Sequence, residues 1–152
     1  MFSYDDLDIH RLMVGDESRT RSFERSIRST VQKGDVVLDV GAGSGILSLF
    51  AAQAGAARVY AVERAPVAAA LARRLIAENG FEEVIQVLPM DMENLWIPEQ
   101  VDVIVSKWLG VYGVDENMLA PVLRARDRCL KPGGAMIPSA VTAFLAPVKH
   151  PA

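Results

Sequence analysis

The chain has 152 residues, of which 51% are hydrophobic and 23% charged, and its formal net charge is −3. This length and composition fit one globular domain and exclude a disordered or fibrous chain. The slight acidic excess argues against a nucleic-acid partner, because capture of nucleic acid requires a concentration of Lys and Arg.

Residues 1–33 are charge-dense and have the pattern of helices. Asp16 stands where it can cap a helix, and apolar residues recur on that helix at four-residue spacing from Phe23 to Val31. This segment predicts N-terminal helices that cover a core formed by residues 34–152. We treat residues 1–152 as a single domain.

From residue 35 onward, short apolar runs alternate with helical patterns. The predicted strands are Asp35–Gly41, Arg58–Glu63, Val84–Leu88, Val101–Ser106 and Ala135–Ile137, with Val141–Val148 continuing as an extended segment. The predicted helices are Ile46–Ala54, Pro66 to about Ala77, and about Asp115 to Cys129, and Lys131–Gly134 is predicted as a turn. The alternation predicts an α/β fold of the Rossmann-like, doubly wound class, with a mainly parallel sheet and helices on both faces.

The connection from the first predicted strand to its helix is rich in glycine, with Gly41, Gly43 and Gly45 in the sequence DVGAGSG. Such glycines permit either a tight turn alone or the close approach of a ligand to the helix N-terminus. The third glycine comes one residue too early for a dinucleotide fingerprint, which disfavours a pyrophosphate site. Glu63, at the end of the second strand, can accept hydrogen bonds from both hydroxyls of a ribose. Together these residues predict a nucleoside-containing cofactor.

At these residues the sequence resembles the class I S-adenosylmethionine-dependent methyltransferases, and S-adenosyl-L-methionine is the cofactor that the resemblance implies. The segment Leu130–Gly134 strengthens it, since this turn recurs in the family before the same strand. Met90–Glu93 is similar to the family's adenine-recognition segment. The resemblance implies that Met92 borders the ring and that Asp91 or Glu93 accepts a hydrogen bond from the exocyclic amine. Helix capping is the alternative role of Asp91.

A narrower resemblance, to the protein arginine methyltransferases, covers nearly the whole chain. Its residues are Tyr4, His10, Met13, Asp16, Arg19, Ser106–Gly110, Glu116–Leu119 and Ala125–Asp127. The resemblance implies that the N-terminal helices fold over the cofactor. It also implies that Arg19 pairs with the carboxylate of the cofactor's methionine moiety, a geometry that suits a guanidinium. Asp39 and the Gly41–Gly45 backbone are implied to bind the same moiety.

The acceptor site departs from the pattern of this family, which has two glutamates on the loop after the fourth strand. Glu116 matches the second glutamate, whereas Lys107 stands at the position of the first. An ammonium about 5 Å from a cationic acceptor repels it by roughly 3 kcal/mol at an effective dielectric constant near 20. Lys107 therefore has three interpretations: it extends into solvent, it attracts an anionic acceptor, or it marks a partner protein that binds the cofactor without catalysis.

We accordingly expect a methyltransferase that acts on an amine or hydroxyl of a small molecule, protein or peptide, with Glu116 orienting or deprotonating the acceptor. The alternative is a catalytically weak or inactive partner or regulatory module. The family's β-barrel domain, its His-Trp-containing loop and its dimerisation arm would follow Ala152, where the chain ends. We therefore expect a substrate site that is open or completed by a homo-oligomer or a partner protein.

The remaining expectations concern location, metals and packing. The acidic N-terminus lacks the order of a secretory signal, and the apolar stretch Ile46–Ala57 is too short and interrupted to span a bilayer, so we expect a cytoplasmic protein without a membrane partner. The lone Cys129 predicts a buried structural thiol, and no metal site is predicted. Core positions are expected at Met118, Leu119 and Val122. Trp108 is expected to line a substrate slot or to pack beneath the N-terminal helices.

Overall fold

The structure is a computed structural model that describes residues 7–108, 117–142 and 144–147. Within these ranges the helices are α1 (Leu7–Gly15), α2 (Glu17–Thr30), α3 (Ile46–Gln53), α4 (Pro66–Glu78) and α5 (Leu119–Cys129), with a 3-10 helix at Met92–Asn94. The strands are β1 (Val36–Val40), β2 (Arg58–Val62), β3 (Ile85–Leu88), β4 (Val101–Val105) and β5 (Leu130–Ile137). None of the described helices has the length and apolar character needed to cross a membrane.

The five strands form one parallel sheet in the order β3-β2-β1-β4-β5. The chain builds outward from β1 to β3 and then returns to the other side of β1 to form β4. This reversal produces a crevice at the carboxyl ends of β1 and β4, where open α/β sheets bind their ligands. The predicted Rossmann-like fold class is confirmed.

Successive strand residues point to opposite faces of the sheet, and both faces are covered, so residues on both sides are buried. One core contains Val37, Val59 and Val103 and is covered by α2, α3 and α4. The other contains Leu38 and Ile104 and is covered by α5 and the 3-10 helix region. Every residue of β1 is buried, which explains why this strand is an uninterrupted apolar run except for Asp39.

The predicted turn at Lys131–Gly134 is wrong in form, because β5 runs without a break from Leu130 to Ile137. The pairing with β4 shifts between Val101 and Val103, so the KPGG segment is accommodated as an irregularity in the ladder. The predicted extended segment after Val141 is not a strand at residues 141, 142 and 144–147, and residues 143 and 148 lie outside the described ranges.

The segment after β4 also differs from the sequence-based predictions. Helix α5 begins at Leu119 rather than near Asp115, and Asn117 has a positive φ of 56°, which is incompatible with a helix there. Leu119 is 36% exposed and not a core residue, whereas Val122 is buried as predicted. Trp108 packs into the core beneath α5, on the sheet face opposite α2, so it does not lie under the N-terminal helices. Cys129 is buried there as predicted.

Candidate functional site

A cavity opens at the carboxyl edge of the sheet, between the N-terminal helices and the loops that follow β1 to β4. Its described lining is Met13, Val14, Arg19, Thr20, Phe23, Gly41, Ala42, Gly43, Ser44, Ile46, Leu47, Val62, Glu63, Arg64, Met90, Asp91, Met92, Lys107, Asn117, Met118 and Pro121. The cavity therefore brings together most of the predicted site residues. Its position is the crevice created by the reversal of strand order.

The glycine turn forms the floor of this cavity. Gly41, Gly43 and Gly45 all have positive φ, at 73°, 56° and 79°, which is the region that side chains disfavour. The N–H groups of Gly41 and Ala42 both donate to the Val62 carbonyl at 2.9 Å, so the turn is fixed to the end of β2. Gly45 provides no side chain to cap α3, which leaves the polar N-terminus of that helix available to a ligand.

Glu63 lies at the end of β2, beside the turn, and is 8% exposed. Its Oε2 accepts a hydrogen bond from the Gly43 N–H and its Oε1 accepts one from the Ala65 N–H, each at 2.8 Å. These two bonds fix the carboxylate in the cavity wall. Each oxygen retains acceptor capacity, so the group can still bind hydroxyls of a ligand.

Asp39 lies in β1 and is fully buried, and it is not part of the described cavity lining. Its Oδ2 accepts a hydrogen bond from the Ser48 hydroxyl at 2.7 Å, whereas its Oδ1 has no hydrogen-bond partner. Burial raises the pKa of Asp39 from 3.8 to about 7; the bond from Ser48 opposes the rise and the Glu63 charge adds to it. The predicted role of Asp39 in cofactor binding stays a prediction. Its carboxyl group is buried at β1 and does not form part of the described cavity wall.

Arg19 lies in the first turn of α2 and lines the cavity. Asp16 caps the helix by accepting a hydrogen bond from the Arg19 N–H at 3.2 Å, which confirms the predicted cap. The Arg19 guanidinium donates to the carbonyl of Met13, and its Nε lies 3.9 Å from Asp16 Oδ2. These contacts orient the only arginine of α2 that is in the described lining.

The segment after β3 contributes the opposite wall. Asp91 caps the 3-10 helix by accepting a hydrogen bond from the Glu93 N–H at 3.0 Å, so its capping role is present, and its Oδ2 lies 4.0 Å from Arg64. Asp91 and Met92 belong to the described lining, whereas Glu93 does not. The Glu93 carboxylate instead accepts a hydrogen bond from Arg124 at 3.1 Å.

Sequence reasoning missed the role of two α5 arginines in supporting this segment. Arg124 pairs with Glu93, and Arg128 donates to the carbonyl of Leu95 at 2.9 Å and to that of Glu93 at 3.4 Å. Their four-residue spacing puts both side chains on one face of the helix. That spacing was the available signal, but their partners are more than 30 residues away in sequence.

The acceptor side of the cavity contains Lys107, directly after β4. Glu116 lies outside the described residues. Met118, which sequence reasoning assigned to the core, also lines the cavity, and its Cε would lie 3.2 Å from a Cβ placed on Gly41. Among the described residues, no group of three or more His, Cys, Asp or Glu side chains is arranged to bind a metal.

Comparison with known proteins identifies the family. Residues 37–134 match the family described as "Methyltransferase domain". The chain is 47% identical over 147 residues to protein arginine N-methyltransferase 6 of Xenopus laevis, covering 95% of this chain and 43% of the relative. It is 44% identical over 151 residues to a probable protein arginine N-methyltransferase 6 of Arabidopsis thaliana, covering 98% of this chain and 34% of the relative.

Two solved structures have the same fold. One is the Trypanosoma brucei PRMT1 enzyme-prozyme heterotetrameric complex with AdoHcy, at a TM-score of 0.85 and 42% identity over 89% of this chain and 43% of that chain. The other is Arabidopsis thaliana protein arginine methyltransferase 10, at a TM-score of 0.85 and 40% identity over 88% of this chain and 39% of that chain.

The chain belongs to the methyltransferase-domain family. The predicted resemblance is confirmed: this is a class I S-adenosylmethionine-dependent methyltransferase domain, close to the catalytic core of the protein arginine methyltransferases. The chain spans less than half the length of the relatives reported above.

Proposed function

We propose that this chain is the cofactor-binding core of a protein arginine methyltransferase, which methylates arginine side chains of a protein with S-adenosylmethionine as donor. The observation that carries the cofactor assignment is the order of groups along the cavity, and the arginine acceptor is inferred from the arginine methyltransferase relatives. Asp91 follows β3, Glu63 follows β2, the glycine turn follows β1, and Lys107 follows β4. This order matches an elongated nucleoside cofactor lying across the strand ends of the sheet.

The residues present fit the cofactor. The apolar side chain of Met92 can border the adenine, and the fixed Glu63 carboxylate can accept from both ribose hydroxyls. The positive-φ glycines bring the backbone close to the amino-acid end of the ligand, where Arg19 can pair with its carboxylate. Asp39 Oδ1 has no hydrogen-bond partner, so a nearby positive charge would stabilise the ionised carboxylate. The cofactor's ammonium would supply that charge.

Either Asp91 or Glu93 is proposed to accept a hydrogen bond from the adenine amine, and the two carboxylates have different surroundings. Asp91 is in the cavity wall, and Glu93 is paired with Arg124 on α5. The matched substitutions Asp91→Asn and Glu93→Gln remove each charge without changing size. The variant with the larger loss of cofactor affinity, measured by calorimetry, identifies the adenine-binding carboxylate.

The methyl group would lie beyond the glycine turn, toward β4 and the start of α5. Bound S-adenosylmethionine would supply an electrophilic methyl group, which the acceptor nitrogen would attack in line with the breaking carbon–sulfur bond, with S-adenosylhomocysteine as the leaving group. The chain's contribution is to hold donor and acceptor in this alignment and to stabilise the charge at the acceptor. We propose that Glu116 orients the acceptor guanidinium and receives its proton, because it matches the family's second acceptor-loop glutamate.

The proposal is tested in two steps with the chain of 152 residues. Calorimetry should detect binding of S-adenosylmethionine and S-adenosylhomocysteine, and a failure to bind either would refute the cofactor assignment. Methyl transfer from labelled donor is then measured on arginine-containing peptides and on the same peptides with lysine in place of arginine. Label in the arginine peptides alone supports an arginine acceptor, and label in neither points to the non-catalytic alternative.

That alternative is a partner protein that binds the cofactor without transferring methyl groups. The comparisons give it no support, and the observation in its favour is Lys107, a cation in the cavity wall where a cationic acceptor would approach. Light scattering of the purified chain tests the associated proposal that a second copy or another protein completes the substrate site. A monomer that methylates arginine peptides at high turnover would refute the need for a partner.

A further inference from the structure

One buried side-chain polar atom in the described part of the chain has no hydrogen-bond partner, and it belongs to Asp39. Its Oδ1 is unpaired, while its Oδ2 accepts a 2.7 Å hydrogen bond from the hydroxyl of Ser48, a residue that is itself fully buried. An unpaired carboxylate oxygen in a protein interior is costly unless a positive charge is close or the group is protonated. The structure therefore contains a carboxyl group whose ionised form is incompletely satisfied.

The surroundings of Asp39 leave few groups that can control its charge. Its neighbours in the sheet, Ala61 on β2 and Val105 on β4, are apolar. Helix α3, which covers Asp39, has the sequence ILSLFAAQ and contains no titratable residue. Its polar contact with Asp39 is the hydrogen bond from Ser48. Glu63, at the end of β2, is the charged group that acts on Asp39, and its negative charge opposes ionisation.

Three cationic residues belong to the described lining of the cavity: Arg19 from α2, Arg64 after β2 and Lys107 after β4. None of them is among the groups that shift the Asp39 titration. A positive charge brought in by a ligand would therefore act on a carboxyl that the described protein groups leave largely uncompensated. A cation about 7 Å away, at an effective dielectric constant of about 20, changes a carboxyl titration midpoint by between one and two units.

We infer that Ser48 is a positioning residue: its hydroxyl stabilises the ionised form of Asp39 and thereby strengthens binding of the cofactor's ammonium. The inference rests on the proposed function, since it takes the amino-acid end of the cofactor to lie above the glycine turn. The coupling is electrostatic, because Asp39 is fully buried and is not part of the described cavity lining. Among the described side chains, that of Ser48 donates the hydrogen bond that favours the charged carboxylate, and a backbone hydrogen bond from Ser48 acts in the same direction.

Burial raises the pKa of Asp39 to about 7, so the coupling falls in the neutral range. Affinity for S-adenosylhomocysteine should rise with pH from about 5.5 to 7.5 as Asp39 loses its proton. Affinity should decline again at alkaline pH, where the ligand's ammonium loses its proton and its positive charge. The compound 5′-methylthioadenosine has the nucleoside but no ammonium, and its binding should not follow this curve.

The experiment follows the Asp39 carboxyl by carbon NMR during a pH titration, with and without S-adenosylhomocysteine. In the native chain the ligand should lower the midpoint by about one unit or more, and 5′-methylthioadenosine should leave it unchanged. The Ser48→Ala variant should raise the unliganded midpoint by about one unit and weaken S-adenosylhomocysteine binding roughly tenfold at pH 7. Ser48→Cys, with a weaker donor of similar size, should lie between the two.

The matched control is Ser106→Ala, which removes another buried hydroxyl, one that donates to the backbone carbonyl of Val40 at 2.6 Å instead of to a carboxyl. It should leave the Asp39 midpoint unchanged. Binding of S-adenosylhomocysteine with no change in the Asp39 midpoint would overturn the inference and leave the proposed function intact, as would a Ser48→Ala midpoint equal to the native one. Absence of binding at every pH would instead refute the proposed function, and the inference with it.

Discussion

The Glu63 carboxylate accepts a hydrogen bond from the backbone N–H of Gly43 at 2.8 Å. This bond connects the residue predicted to bind the ribose to the glycine turn. The same carboxylate accepts a second bond from the Ala65 N–H. One side chain therefore both shapes the floor of the cavity and faces the ligand. Because Glu63 is nearly buried, these bonds are shielded from solvent and depend on the charge of the carboxylate.

We expect Glu63→Ala to weaken S-adenosylhomocysteine binding by about 100-fold or more, since it removes the ribose acceptor and leaves two backbone donors unpaired. Glu63→Gln should lose less, because its amide oxygen can retain one of the backbone bonds. Calorimetry measures both affinities. Glu78→Ala is the control, since Glu78 is exposed and pairs with Arg74 on the same helix. Normal cofactor affinity in Glu63→Ala would contradict the ribose assignment.

Arg19 provides the second prediction, because its guanidinium both contacts the Met13 carbonyl and lines the cavity. Arg19→Ala should lower the affinity for S-adenosylhomocysteine by about 10- to 100-fold, the usual effect of losing a hydrogen bond to a charged group. The affinity for 5′-methylthioadenosine, which has no carboxylate, should change little. Arg21→Ala is the matched control on the same helix, since Arg21 is 71% exposed and pairs with Glu17. Equal losses for the two ligands would show that Arg19 acts only on the helix packing.

The third prediction concerns the pH dependence of stability in the unliganded chain. Burial raises the pKa of Asp39 from 3.8 to about 7, so between these values the folded chain keeps a proton that the unfolded chain has released. The resulting stabilisation is complete below about pH 4 and is lost as the pH rises to 7, at up to about 1.4 kcal/mol per pH unit. Asp39→Asn removes this dependence and should be the more stable protein at pH 8.

Chemical denaturation at pH 5, 6, 7 and 8 measures the difference in unfolding free energy between native and variant chains. The control is Asp127→Asn, which changes an exposed carboxylate and should keep the native slope. A native slope in Asp39→Asn would mean that Asp39 is ionised in the folded chain throughout this range. The prediction does not involve the cofactor, so it tests the environment of Asp39 alone.

The fold was predictable from the sequence because its signals are local. Buried parallel strands require continuous apolar runs, and the glycines between Gly41 and Gly45 identify the turn that the ligand approaches. The start of α5 was not predictable, since it depends on the left-handed backbone of Asn117. The form of β5 was not predictable either, because its irregular pairing with β4 is set by strand register and not by the residues of the turn alone.

The candidate site divides in the same way. Glu63 was found because it lies at the end of a strand that the sequence reveals, whereas Arg19 was found through the resemblance to the arginine methyltransferases. The Arg124–Glu93 pair was missed because it joins residues 31 positions apart, and only the packing of α5 against the 3-10 helix brings them together. The isolation of Asp39 Oδ1 was likewise hidden, since a sequence identifies a buried strand but not which polar atom within it lacks a partner.

Gly134 provides a prediction about the irregular β4–β5 pairing. A Cβ at this position would lie 2.9 Å from the Asp102 carbonyl and 2.6 Å from Leu130 Cδ1, so an alanine would force backbone movement. Gly134→Ala should lower the unfolding free energy by about 1–3 kcal/mol, the usual range for overpacking. Gly15→Ala is the control, because nothing lies within 4 Å of its added methyl and its φ is not positive. An unchanged denaturation midpoint for Gly134→Ala would mean that the two strands separate there at little cost.

The last prediction tests the cation at the acceptor side of the cavity. Lys107 lies in the wall directly after β4, and an ammonium about 5 Å from a guanidinium opposes its binding by roughly 3 kcal/mol at an effective dielectric constant near 20. Lys107→Met should therefore raise kcat/KM for arginine-containing peptides by up to about 100-fold, and Lys107→Glu should raise it further because repulsion becomes attraction. Lys107→Arg, which keeps the charge, is the control and should give no increase.

Cofactor affinity is measured in parallel and should stay within a few-fold of native, so that a gain can be assigned to the acceptor. If Lys107→Glu leaves kcat/KM for arginine peptides at the native value, the charge at this position does not limit transfer to arginine.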